Sequence, residues 1–204
     1  MRVFLVIITM TMLLVSCNQS GKTSQSTDTT KEFGNASKPA WTLIGEAYEN
    51  KNWDLIISIG DTIIGEDDPR NISIFYAEAL ASKGYIEKAI KVLDKKIIRN
   101  PDDYYLYNTK GNVYFLAEKY DSAIYYYDKT TELGPAYARP YINKGKIYEI
   151  IGDKQKAIVN YMAAVRLFAA NGFINEVQEF SNCILSLDST NVEARGYLEQ
   201  IQRE

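Results

Sequence analysis

A self-similar spacing of 34 residues limits what this chain can become more than any other feature. Ala89, Ala123 and Ala157 keep that interval, as do Pro101 and Pro135, Gly111 and Gly145, and Leu80, Tyr114 and Tyr148. A fixed period of this length means that one supersecondary unit recurs and buries its apolar face against the next copy. Within the stretch from Tyr104 to Tyr137, Tyr107, Gly111 and Tyr114 lie four and three residues apart, on one face of a helix. Glu118-Lys119 interrupts that helix. Tyr120, Ala123, Ile124 and Tyr127 then resume the helical spacing, and Gly134-Pro135 ends it. The unit is therefore a helical hairpin. Gly111, Gly145, Ala123 and Ala157 are small residues placed where paired helix axes approach. Tyrosines 107, 114, 120, 127, 141, 148 and 161 hold the packing positions beside them.

The first unit opens with Trp41-x2-Ile44-Gly45-x2-Tyr48. Together with the period, this resembles the tetratricopeptide repeat (TPR), whose signature is W-x2-L-G-x2-Y in units of 34. The resemblance implies an all-α fold, a right-handed solenoid of helical hairpins. Four hairpins are expected, at residues 38–69, 70–103, 104–137 and 138–171, with a C-terminal helical pair at 172–204 as the polar-faced cap. In the first hairpin Trp41, Ile44, Gly45 and Tyr48 are the expected inner stripe. Trp53, Ile56, Ile57, Ile63 and Ile64 follow on its second helix, and Asp67-Asp68-Pro69 ends it. The cap departs from the repeat, with Phe173, Val177, Phe180, Ile184 and Leu187 on one stripe and Ala194, Tyr197, Leu198 and Ile201 on the next.

The N-terminus reads as a targeting segment. Arg2 precedes an apolar or hydroxyl run from Val3 to Val15, about 13 residues against the roughly 20 that a membrane span needs. Leu14-Val15-Ser16-Cys17 resembles the bacterial lipobox. That resemblance implies a signal peptide at 1–16 and lipidation of Cys17, which begins a flexible polar tether at 17–37. Asn18 after the lipid site, rather than Asp, implies the outer membrane, and the periplasmic face is expected rather than the cell surface.

Composition narrows the chemistry. The chain has no histidine, which removes the Ser-His-Asp triad and histidine metal sites, and neither an enzyme nor a cofactor is expected. Lys and Arg number 23 against 26 Asp and Glu, a net charge of −3, so nucleic acid is not an expected partner. With Cys17 acylated, Cys183 is the remaining thiol, and it reads as a structural residue beside an apolar stripe.

The expected function is binding. In TPR arrays the first helix of each hairpin lines the concave groove. The resemblance places Tyr105, Asn108, Asn112, Phe115, Arg139, Ile142, Asn143 and Lys146 there, along with Phe75, Glu78 and Glu149. Asn112 follows its signature glycine and Asn143 stands two before the next, where peptide-clamping TPRs of chaperone adaptors carry asparagines. Asn108 replaces the clamp's lysine, and Phe173 and Val177 stand where further cations would be. The asparagines are expected to point into one groove, outside the core, and to hold an extended segment of acidic character. The chain thus reads as a membrane-anchored scaffold for a protein or peptide partner. The alternative is a lipoprotein that captures glycans with its groove aromatics.

Overall fold

The computed structural model describes residues 38–64 and 72–203. The apolar run, Cys17, the tether and Asp67-Asp68-Pro69 lie outside the described residues. Among the described residues there are ten helices and no strand. They are α1 (Ala40–Glu49), α2 (Trp53–Ile63), α3 (Ile72–Ser82), α4 (Ile86–Arg99), α5 (Tyr104–Leu116), α6 (Tyr120–Leu133), α7 (Arg139–Ile150), α8 (Lys154–Ala170), α9 (Ile174–Leu187) and α10 (Val192–Ile201).

Turn chemistry explains why the helices pair as they do. The turns α1–α2, α3–α4, α5–α6 and α7–α8 each contain one left-handed residue: Lys51, Gly84, Glu118 and Gly152, at φ 53°, 84°, 57° and 82°. The next residue donates its N–H to a carbonyl five positions back. These bonds are Asn52 to Ala47 (2.7 Å), Tyr85 to Leu80 (2.8 Å), Lys119 to Tyr114 (2.9 Å) and Asp153 to Tyr148 (2.8 Å). Asn52, Asp103 and Asp153 cap the helices that follow by accepting from Leu55, Tyr105 and Lys156 backbone N–H groups. Pro140 sits in the first turn of α7, where its missing N–H costs nothing.

Packing follows the small-against-large rule. A Cβ placed on Gly111 would lie 2.5 Å from the Tyr127 ring, and one on Gly145 would lie 2.5 Å from the Tyr161 ring. Both rings are buried, as are Ala123 and Ala157. The other five repeat tyrosines, 107, 114, 120, 141 and 148, are only partly buried, a correction to the expectation that all seven are core. Two of these rings meet the neighbouring helix: Tyr114 stacks on Tyr126 at 5.3 Å between centroids, and Tyr148 lies under the Lys156 ammonium. The first helices pack side by side, α1 on α3 and α3 on α5.

A charged latch joins successive hairpins. The Lys144 ammonium donates to Asp128 at 2.7 Å, and Lys110 donates to Asp94 one period earlier. In both pairs the lysine is buried and the carboxylate half-exposed. Tyr76 makes the equivalent bond to Asp61. A buried ammonium needs such a partner, and each pair also has a tyrosine ring beside it, Tyr126 for Lys110 and Tyr141 for Lys144.

Two regions depart from expectation. In the first hairpin, Ile44 and Ile56 are buried, but Trp41 is 46% exposed, Tyr48 36% and Ile63 42%. Gly45 has no atom within 4 Å of a would-be Cβ, so its signature glycine receives no ring. At the other end, the departure from the repeat is a change of phase. The left-handed turn residue recurs at Gly172 (φ 73°), 20 residues after Gly152, and Phe173 N–H donates to Phe168 at 3.0 Å as in the turns inside hairpins. The α9–α10 turn has the bonds of a turn between hairpins: Asp188 to Ile184 and Asn191 to Asp188, like Asn100 to Lys96 and Asp103 to Asn100. The 17-residue α8 therefore acts twice, as second helix to α7 and first helix to α9. Its Tyr161-x2-Ala164-Val165-x2-Phe168 repeats the signature spacing, with Tyr161, Ala164 and Val165 buried and Tyr161 and Phe168 stacked on Phe180 at 5.8 and 6.0 Å.

Candidate functional site

The first-helix layer carries a continuous row of hydrogen bonds. The Tyr48 hydroxyl of α1 donates to one Glu78 carboxylate oxygen of α3 at 2.7 Å, and the Asn112 amide of α5 donates to the other at 3.0 Å. The Asn112 amide oxygen accepts twice, from the Tyr127 hydroxyl at 2.9 Å and from the Asn143 amide of α7 at 3.0 Å. One row thus crosses four hairpins. Glu78 and Asn112 are one period apart, which puts them on the same helical face in adjacent units. Burial, and for Tyr48 the Glu78 acceptor as well, pushes the Tyr48 and Tyr127 hydroxyls above their ordinary range, so both remain donors. Tyr161 repeats the arrangement with Glu149 at 2.9 Å.

This row corrects the expectation that the asparagines stand outside the packing. Asn112 and Asn143 are part-buried and bonded to each other, so both contribute to the packing of the fold, while Asn143 also lines the cleft described below. Asn108 is 5% exposed, and its amide oxygen is buried without a partner. Two amides at adjacent levels of a helix layer satisfy each other more cheaply than either satisfies itself by waiting for a ligand.

The other expected residues divide between two places. Arg139, Ile142, Asn143 and Lys146 line a cleft of ≈ 420 Å³ beside α7, with Phe173 just before α9, Glu176 and Phe180 of α9, and Leu167 and Phe168 of α8 opposite. Ile142 is buried and forms part of its floor, while Arg139 and Lys146 are exposed. Tyr105, Asn108, Asn112 and Phe115 belong to α5 and do not line this cleft. Tyr105 reaches its mouth indirectly: its ring lies 5.3 Å, edge to face, from Tyr137, which does line it. Tyr104 completes the trio, 4.3 Å from Tyr105 and 5.4 Å from Tyr137 between centroids. Its hydroxyl is pushed up to about 12, first by hydrogen bonding with Tyr105 and then by burial. Burial also raises Tyr137, against the lowering effect of Arg139 beside it. Phe115 is half-buried against Tyr120.

Sequence reasoning did not single out Tyr48, Tyr137, Glu176 or Phe180 for this face. For Phe180 and Glu176 the signal was present, because the signature spacing on α8 shifts the register of everything after Gly172. Tyr48 and Tyr137 carried no such signal, since their partners lie on other hairpins. Cys183 is half-buried, and burial, followed by Glu179 and Glu149, raises its thiol above the ordinary range, which suits a packing residue. Among the described residues no helix is long and apolar enough to cross a membrane, and no group of three or more His, Cys, Asp or Glu side chains is placed to hold a metal.

Comparison with known proteins agrees with this architecture. Residues 138–171 match the tetratricopeptide repeat family. A thermophilic TPR protein of Thermus thermophilus superposes with a TM-score of 0.55 at 15% identity, over 80% of this chain and 97% of that one. MamA superposes at 0.56 and 20% identity, over 79% and 93%. MamA 41-end from Desulfovibrio magneticus RS-1 superposes at 0.52 and 18% identity, over 80% and 92%. No curated protein matches the chain in sequence. At these identities the likeness establishes the fold, an all-α TPR solenoid.

Proposed function

We propose that this TPR chain is a binding scaffold, held at the cell envelope through acylated Cys17, which takes an extended protein segment along its first-helix face. The observation that carries the reading is the cleft beside α7, where two exposed cations stand over an apolar floor and opposite aromatic side chains. Such a surface, concave and mainly apolar with a few polar groups, suits a ligand side chain and its backbone together. A TPR solenoid supplies a rigid platform for this and no catalytic constellation. The anchor would place the platform on the periplasmic side of the outer membrane, at the end of a polar tether.

Two experiments test the two halves. Wild type should enter the detergent-rich phase on phase partitioning, and Cys17→Ser should stay in the aqueous phase; equal aqueous partitioning would end the anchoring proposal. For the binding face, a photo-crosslinking amino acid at Lys146, in native membranes, should give a discrete crosslinked protein. The same amino acid at Tyr125, exposed on the second helix α6, should not. Identical products from both positions, or none from Lys146, would remove the first-helix face as the site.

A further inference from the structure

The two ends of the solenoid differ in chemistry. The last helix, α10, turns Ala194 inward and carries the exposed Arg195, Glu199 and Val192 on its outer side. A largely polar end of this kind is what the terminal unit of a stacked array requires. The first hairpin has no such face. On α2, Asp54 and Asp61 stand seven residues apart on one side and tie it to the second hairpin. Asp54 accepts from the Lys83 ammonium at 2.9 Å, and Asp61 from Lys88 at 2.9 Å and from Tyr76. Leu55, Ile59 and Ile63, spaced by four, lie across the helix from that pair, on the side turned away from the second hairpin. Leu55 is 38% exposed, Ile63 42%, and Ile59 is part-buried. Thr62 beside them donates its hydroxyl to the Ile59 carbonyl at 2.7 Å.

Helix α1 continues this face. Tyr76, Lys110 and Lys144 each stand eight residues before the left-handed residue of their own hairpin turn. Each reaches back to a carboxylate of the preceding hairpin, Asp61, Asp94 and Asp128 in turn. Leu43 holds the same position before Lys51. Among the described residues no hairpin precedes α1, and the side chain at its reaching-back position is apolar instead of a donor. The N-terminal end therefore presents the face that each interior hairpin buries against its predecessor, with the donor replaced by leucine.

Chemistry selects what covers such a face. The polar stretches of the chain bring little apolar surface to it: residues 18–37 contain Phe33 and Ala36, and residues 65–71 read Gly-Glu-Asp-Asp-Pro-Arg-Asn. The opposite end of another copy is mismatched, because Arg195 and Glu199 would lose water against leucine and isoleucine and gain no partner. A bilayer favours free cations beside the apolar residues, whereas Lys38 at this end is paired with Glu46 at 2.5 Å. A like end is matched. About a two-fold axis, the apolar residues of one copy meet the same residues of the other, and no unpaired charge lies among them.

We propose that the outer face of the first hairpin is a self-association surface, on which two copies of this chain pair N-terminal end to N-terminal end with Leu43, Leu55, Ile59 and Ile63 at the centre. The cleft beside α7 belongs to later hairpins, so the pairing stands or falls independently of segment binding there.

The test places a photo-crosslinking amino acid at Leu55 or at Ile63 in cells that make two differently tagged copies of the full chain. Both positions should give an adduct carrying both tags, and the same amino acid at Arg195 should give none. Leu55→Glu, which sets unpaired carboxylates into the apolar contact, should lower the adduct from position 63 at least about tenfold, while the circular dichroism stays unchanged. Thr62→Arg, on an exposed residue, opposes like charges across the axis and should do the same, which keeps the test decisive where Leu55→Glu disturbs the fold. Adducts to lipid or to a different protein in place of the second copy, a doubly tagged adduct from Arg195 as strong as those from positions 55 and 63, no adduct at all, or full crosslinking in folded Leu55→Glu and Thr62→Arg variants would each overturn the proposal.

Discussion

The first and third hairpins carry the same signature and pack in opposite ways. In the third, Gly111 backs directly onto the Tyr127 ring, which is 1% exposed and hydrogen-bonded to Asn112. In the first, Gly45 meets nothing within 4 Å, and Trp41 is 46% exposed. The signature glycine is therefore a packing requirement only where the second helix delivers a ring against it. In the first hairpin Ile57 and Asp61 replace the small and apolar residues of the later units, and the ring that meets a glycine there comes from the next hairpin, Tyr76 onto Gly60. The interior repeats lock within themselves, whereas the first is held chiefly by its neighbour.

The widest gap between the two hairpins is expected from deleting their aromatic residues. Tyr127→Ala removes a fully buried ring and the donor to Asn112, and should cost about 3–5 kcal/mol in chemical denaturation. Trp41→Ala, on a half-exposed side chain, should cost well under half of that. Equal losses would mean that Trp41 is as deeply packed as Tyr127 and would break the comparison.

The glycines should respond with opposite signs. Gly111→Ala drives a methyl into a ring with no space to retreat, a loss of about 1–3 kcal/mol. Gly45→Ala meets open space on a helix and should gain about 0.5–1 kcal/mol from the reduced flexibility of the unfolded chain and better helix propensity. Thermal melts of the two variants moving in the same direction would contradict the assigned packing.

The smallest effect concerns the row that joins the hairpins. Asn112→Ala removes bonds to Glu78, Tyr127 and Asn143. A single net bond contributes about 0.5–1.5 kcal/mol, and solvent can reach part of this row, so a loss near that range is expected. Tyr48→Phe, which removes one bond at the exposed end of the row in the first hairpin, should be milder. If Asn112→Ala leaves the melting temperature unchanged, the row is ornamental and the asparagine is available to a ligand after all.

The hairpin unit, its period, and the seats of Gly111, Gly145, Ala123 and Ala157 were legible in the sequence. Helical periodicity assigns each residue to a face using neighbours three and four positions away, and close helix approach demands small side chains wherever the unit recurs. The α8 phase change was also written there, in Tyr161-x2-Ala164-Val165-x2-Phe168, but the strict 34-residue register of the earlier units hides it. The pairing of Asn112 with Asn143, the burial of Asn108 and the exposure of Trp41 were decided by tertiary structure alone. Asn112 and Asn143 lie on facing helices 31 residues apart, and whether an amide on the first-helix face meets solvent or another amide depends on the stagger of those helices. A repeat spacing specifies that two units stack. The fraction of a turn by which they slide is set by all the side chains between them, and that fraction decides which polar groups are spent inside the fold and which are left for a partner.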